Sequence, residues 1–301
     1  MTTTVYVLGS GTPEPTPERF GSAFAVDVDG EVLMVDCGPA ATWKLVKAGL
    51  APTQVGTLFF THHHFDHDVD YPCFLLTRWD QGAGLVEPLH AIGPAPTSLL
   101  TERLVGPDGA FFADIHARVN WSGSQGIWAH RGGTLPRTPP RVRTTDIEAG
   151  HEHRGDSWSM RSALAIHAQP WLDSLSYRLE TSDGSIVFTG DTEPCDSVRE
   201  LARGADIMFS MCWNTNAAHT RYREGLCTLE GAVSMASDAG VGTLVLVHTG
   251  ANVSNPQTVD AALLGMGDTY GGRVVLADEL MHLTLSRGQL SVGPTAGLLR
   301  P

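Results

Sequence analysis

Four residues able to bind a metal fall close together in this chain: His62, His64, Asp66 and His67, within Thr61-His62-His63-His64-Phe65-Asp66-His67. Imidazole and carboxylate together suit Zn²⁺ and similar borderline metals. The segment directly follows Val55-Gly-Thr-Leu-Phe-Phe60, an apolar run that reads as a buried strand. A turn at a strand end can aim alternate side chains at one point. A purification tag would sit at a terminus instead. His63, wedged between the four, is expected to point away from them.

The elements that must position this cluster can be read from punctuation and periodicity. Residues 4–8 read as a strand ending in Gly-Ser-Gly, and 23–28 with 31–36 as a hairpin around Asp29-Gly30. A helix is predicted over 39–49, with Pro39 in its first turn and Gly49 at its end. Further helices are predicted near 71–80 and 96–105, with a short strand near 89–92. The stretch 106–157 reads as irregular, because GPDG, GSQG, RGG and TPP are turn signals. Strands are predicted at 158–168, 174–180 and 185–189. Strands and helices then alternate: helix 195–203, strand 205–210, helix 228–239, strand 243–247, helix 256–264, and strands 273–276 and 281–286. No linker or short repeat stands out, so one domain is expected, with sheets layered under helices.

In full, the segment resembles the HxHxDH signature of the metallo-β-lactamase superfamily. Further matches follow in order: Asp36 in MVDCG, His167 in ALAIHA, Asp191 in IVFTGDT and His248 in TLVLVHTG. The resemblance runs over about residues 4–286. It implies an α/β fold, an αββα sandwich with metals at one edge where strand ends converge. It implies that His62, His64 and His167 hold one metal, that Asp66, His67 and His248 hold a second, and that Asp191 bridges. Asp36 would support a ligand by a hydrogen bond. Two zinc ions per chain are expected, with manganese or iron as alternatives. Such a pair can generate a hydroxide nucleophile at neutral pH. A structural zinc site would be closed by four protein ligands, whereas this set leaves valences open. An enzyme is therefore expected.

Within the superfamily, VLGSGTPEPTPERFGSAFAV, SLSYRLE and LEGAVSMASDAGVGTLVLVH resemble the ribonuclease Z-like branch. Two features of its tRNA 3′-processing members are missing. His167 and Asp191 are too close in sequence to hold a tRNA-clamping arm. Leu226-Cys227-Thr228 stands where those enzymes carry a histidine proposed as proton donor. His219, in NAAHTRYREG, is a candidate replacement, with Trp213 and Asn214 on the same loop as possible pocket residues. Asp66 could shuttle protons as well as bind metal. The segment 106–157, with Phe111, Phe112, Trp121 and Trp128, is expected to form a lid over the metal edge or an interface in a homodimer.

The formal charge is −13, from 20 Lys and Arg against 33 Asp and Glu. That balance disfavours polyanions, so a small-molecule substrate and no nucleic acid are expected. No apolar run of about 18 residues exists, so no membrane span is expected. The amino terminus lacks a signal-peptide pattern, and five scattered cysteines without CxxC fit reduced thiols in a cytoplasm. The leading expectation is hydrolysis of a small ester, lactone or similar electrophile. The alternatives are phosphodiester or aryl sulfate cleavage, hydrolytic dehalogenation, and a metal-binding module without chemistry.

Overall fold

The computed structural model describes residues 2–215, 224–266 and 269–293. Two sheets face each other. One has eight strands: β1 (Thr3–Ser10), β2 (Ser22–Val28), β3 (Glu31–Val35), β4 (Val55–Phe59), β5 (Leu89–Gly93), β6 (Val142–Asp146), β14 (His282–Ser286) and β15 (Gln289–Gly293), in the order β15-β14-β1-β2-β3-β4-β5-β6. The other has seven: β7 (Glu152–Arg154), β8 (Trp158–Leu164), β9 (Leu175–Thr181), β10 (Gly184–Phe188), β11 (Ile207–Cys212), β12 (Thr243–Thr249) and β13 (Arg273–Leu276), in the order β13-β12-β11-β10-β9-β8-β7. The β2–β3 hairpin turns at Asp29 and Gly30, both at positive φ (52° and 93°), the two-residue turn that suits strand twist.

Burial explains the layering. The faces turned inward join in one core that includes Val5, Phe24, Val35, Phe59, Phe188 and Phe209. Phe188 and Phe209 stack at 5.2 Å and 7°, and Phe24 lies 5.2 Å from each, so three rings join the two sheets. The outer face of the eight-stranded sheet buries Leu45 of α1 (Ala41–Lys47) and Phe74 and Leu75 of α3 (Tyr71–Gly82). The outer face of the seven-stranded sheet buries Val198 and Leu201 of α7 (Asp196–Leu201), Val233 and Ala236 of α8 (Leu229–Ala239) and Val259 of α9 (Pro256–Met266). Helix, sheet, sheet, helix is the architecture that the sequence led us to expect.

Three readings need correction. The first helix begins at Ala41, because Ala40 is left-handed (φ 60°) and ends the preceding turn. Strand β8 stops at Leu164, before His167: the Ile166 amide donates to Thr192 Oγ1 and the His167 amide to Gln169 Oε1, so both have left the ladder. The stretch 106–157 is not irregular. It forms α5 (Phe112–Asn120), α6 (Ser122–His130), β6 and β7. Nor do its buried aromatics wall the expected metal edge. Trp128 is 2 % exposed and packs with Trp79 of α3, with Ala83 just past its end and with Ile115. That contact meets the chain near Gly84, ahead of β5. Since β4, β5 and β6 run parallel and His62 follows the far end of β4, Trp128 lies at the opposite end from the histidines.

Candidate metal centre

Each motif residue is placed by a strand end. After β4, the Phe60 amide still donates to Ile92, and the Thr61 amide donates to Asp36 Oδ1 at 2.8 Å. His62 to His64 continue extended. One helical turn, α2 (Phe65–Asp68), then swings Asp66 and His67 inward, both 1 % exposed. The turn is pinned by the Cys37 amide donating to the His67 carbonyl. Gly38 allows it: a Cβ there would meet the Asp66 carbonyl at 2.2 Å. Asp36 itself is left-handed (φ 60°), as is His248 (φ 49°) at the end of β12, conformations that cost energy in a residue with a Cβ.

These segments bring seven side chains together. His62, His64, His167 and Asp191 form one group and Asp66, His67 and His248 a second, with the offered atoms of each within 4.8 Å of one another. His64 Nδ1 lies 3.0 Å from His62 Nε2 and 3.1 Å from His167 Nε2. Asp191 faces both groups: Oδ2 is 3.7 Å from His167 Nε2 and 3.2 Å from His248 Nε2, and Oδ1 is 3.4 Å from His67 Nε2. His248 Nε2 also meets Asp66 Oδ2 at 3.1 Å. His63 points elsewhere, as expected, with Nε2 2.8 Å from Thr97 Oγ1 and Nδ1 3.2 Å from Asp68.

The outer hydrogen bonds fix which ring nitrogens are free. His67 Nδ1–H donates to Asp36 Oδ2 at 2.7 Å, and His167 Nδ1–H donates to the Gly225 carbonyl at 2.7 Å. Thr61 Oγ1, which donates to Asp36, is 3.1 Å from His62 Nδ1 and can accept from it. Each ring then turns Nε2, the nitrogen that would bind a metal, inward. His67 Nε2 and Asp191 Oδ1 are buried with no hydrogen-bond partner, and buried polar atoms are rarely left so. A cation is the missing partner that this donor set fits.

Electrostatics agree. Burial opposes a charge on His67, but Asp191 and Asp36 outweigh it and hold the ring well above the usual imidazole range. Burial, with help from His67, pushes His62 well below it. Burial also opposes the Asp191 charge, yet His248 and His67 hold that carboxyl well below the usual range. These directions favour positive charge on His67 beside ionised carboxylates, a balance in which a bound cation would compete with the His67 proton.

The remaining candidates divide. Trp213 packs with the core under α8, and Asn214 Oδ1 accepts from the Thr215 amide. Leu226 is half-buried against the same core. His219 lies outside the described residues. Sequence reading missed Thr61 and Glu193. Glu193 Oε2 accepts from the Gly225 amide at 2.9 Å, and the carbonyl of that same glycine holds His167. Gly225 (φ 74°) sits so close that a Cβ would meet the His167 carbonyl at 2.1 Å. We expect Glu193→Ala to weaken metal binding about 10–100-fold in chelator competition, and Glu193→Gln, which keeps an acceptor oxygen, to stay near wild type. Wild-type affinity in the alanine variant would show that Gly225 is held without it.

A two-sheet sandwich with these donors at its strand ends is the frame of a metal-dependent hydrolase. Residues 16–248 match the Metallo-beta-lactamase superfamily, and the chain belongs to it. It is 31% identical over 292 residues to Ribonuclease Z of Mycobacterium sp. (strain KMS), covering 94% of this chain and 96% of that one. Its fold is similar to that of the metallo-beta-lactamase fold protein YhfI from Bacillus subtilis, with a TM-score of 0.70, 18% identity, and 97% and 100% of the two chains covered. It is also similar to human tRNase Z, short form, with a TM-score of 0.64, 20% identity, and 93% and 98% covered. The relationship to the ribonuclease Z-like branch is borne out, and the family implies a divalent metal. The expectation of no nucleic-acid partner stands in conflict with relatives named for RNA. Among the described residues no helix is long and apolar enough to cross a membrane.

Proposed function

We propose that this chain is a two-zinc phosphodiesterase whose substrates are reached without a clamping arm. The observation that carries this is Asp191, whose two oxygens face both groups of donors. Support for a phosphodiester over a small carboxylic ester or lactone comes from the relatives at about 30% identity, all named Ribonuclease Z. Between His167 and Asp191 the chain has one tight turn and the β9–β10 hairpin, so nothing there extends to grip a folded RNA.

A bound metal pair supplies a water of lowered pKa and neutralises charge on the phosphoryl oxygens. The protein's own groups do the rest. Asp36 and the Gly225 carbonyl hold two ring protons outward, which keeps His67 and His167 oriented. Burial opposes ionisation of Asp66, but the bond from His248 and the charge of His67 outweigh it, which favours the ionised carboxylate that would serve as a metal ligand. The leaving oxygen needs a proton, and His219 is the proposed donor.

The test sets bis(4-nitrophenyl) phosphate, 4-nitrophenyl acetate and a precursor tRNA side by side. We expect the diester to be the better small substrate by at least about tenfold in kcat/KM, a difference of about 1.4 kcal/mol. Preference for the acetate would overturn the reading, and efficient tRNA cleavage would extend it to RNA. Nitrophenolate leaves without help, so His219→Ala should spare this diester and slow one with an alkyl leaving group.

A further inference from the structure

A second cavity lies at the other end of the sandwich from the metal centre. Its volume is about 80 Å³, where one water needs about 10–15 Å³, so it has room for several heavy atoms. It opens beneath the start of β5 and β6 and is lined by Arg78, Trp79, Glu87, Trp128, Pro140 and Arg141, among others.

Arg78 is the unusual member. It is 6 % exposed, and among the described residues its bonds run from Nε to the Val55 carbonyl at 2.9 Å and from Nη2 to the Glu87 carbonyl at 2.8 Å. Neither bond uses Nη1. Burial alone lowers its pKa, and among the described residues no carboxylate offsets the charge. A buried charge normally has a partner, because leaving water costs several kcal/mol. The nearby acid is already engaged: Asp80 pairs with Arg118, Arg131 and Arg137. Arg141 adds a second, exposed cation to the cavity wall, against the single carboxylate of Glu87. This is a cationic pocket in a chain whose net charge is −13. Trp79, Trp128 and prolines line the rest, and Arg137 stacks on both indoles, at 4.2 Å over Trp79 and 4.7 Å over Trp128.

We propose that this cavity is a binding site for a small organic anion, a carboxylate or phosphate on a compact apolar body, with the anionic head on Arg78 and Arg141 and the body against Trp79 and Trp128. Guanidinium offers planar paired donors to such heads, and the ligand supplies the counter-charge that Arg78 lacks. The site is independent of the hydrolytic chemistry.

The indole N–H groups report on it directly, since Trp79 donates to the Thr138 carbonyl and Trp128 to the Thr134 carbonyl. Benzoate is titrated into the metal-loaded protein labelled with ¹⁵N-tryptophan, with the two signals assigned through Trp79→Phe and Trp128→Phe. We expect both signals to shift and saturate in the millimolar range, the strength open to a ligand of about nine heavy atoms. Benzoate at the metals would leave these two signals in place, so metal binding is not mistaken for the site. Arg141→Gln, an exposed change that leaves the fold intact, should weaken binding about tenfold, and Arg78→Met should abolish it. Absence of a saturable shift would overturn the proposal. So would equal shifts with benzamide, which would mark a merely apolar hole, or undiminished binding in Arg141→Gln.

Discussion

Asp191→Ala is expected to leave a folded protein whose hydrolytic activity falls on the order of a thousandfold, with metal content reduced from near two per chain. Asp191 is 4 % exposed and sits where the imidazoles of both groups converge. If Asp191 bridges as proposed, removing it takes a donor from both groups, since its oxygens face His167, His67 and His248. It also leaves the His67 charge with Asp36 as its main counterweight. A loss of about 4 kcal/mol of transition-state stabilisation corresponds to this factor. Elemental analysis and diesterase assays on the same preparation decide the matter. Activity within a few-fold of wild type would remove Asp191 from the role of bridge. Loss of folding, read by circular dichroism, would instead assign it to the architecture.

The second large effect is on stability. Phe209→Ala should cost about 3–5 kcal/mol in urea unfolding, the range for a buried aromatic truncated to alanine. Phe209 is 1 % exposed and closes the three-ring contact with Phe24 and Phe188. The same three rings floor a cavity of about 10 Å³ beneath Asp36, His67 and Asp191. The alanine variant enlarges that space to hold additional water under the ligands, so metal affinity should fall along with the midpoint. Phe209→Leu keeps most of the volume and should cost about 1–2 kcal/mol. Equal losses in the two variants would show that the site, not the packing, governs the effect.

The cluster at 61–67 was legible because it follows the apolar run TLFF, while His167, Asp191 and His248 were legible only through the resemblance to the superfamily's ordered motifs. What positions them was not. Glu193 and Gly225 act through backbone groups, and a main-chain carbonyl that fixes a histidine tautomer leaves no mark on residue type. The layers were legible from alternating elements, but α6 was not. Its sequence, SGSQGIWAH, carries two glycines and two serines, weak helix formers that read as a turn. The helix holds because Trp128 buries itself against α3, a tertiary gain that no local window contains. The same contact places Trp128 in the wall of the distal cavity.

The order of the donors along the chain also has a consequence for biosynthesis. Asp66 and His248 stand 182 positions apart. At about 5–20 residues per second, the ribosome needs roughly 10–35 s to pass from one to the other. Over that interval the motif donors made rise to six, still without the histidine that completes the second set. The amino-terminal strand β1 meanwhile waits for β14, which is translated later still. The first set is complete in sequence once Asp191 is made, whereas the second waits for His248, so the two sets become available in order along the growing chain.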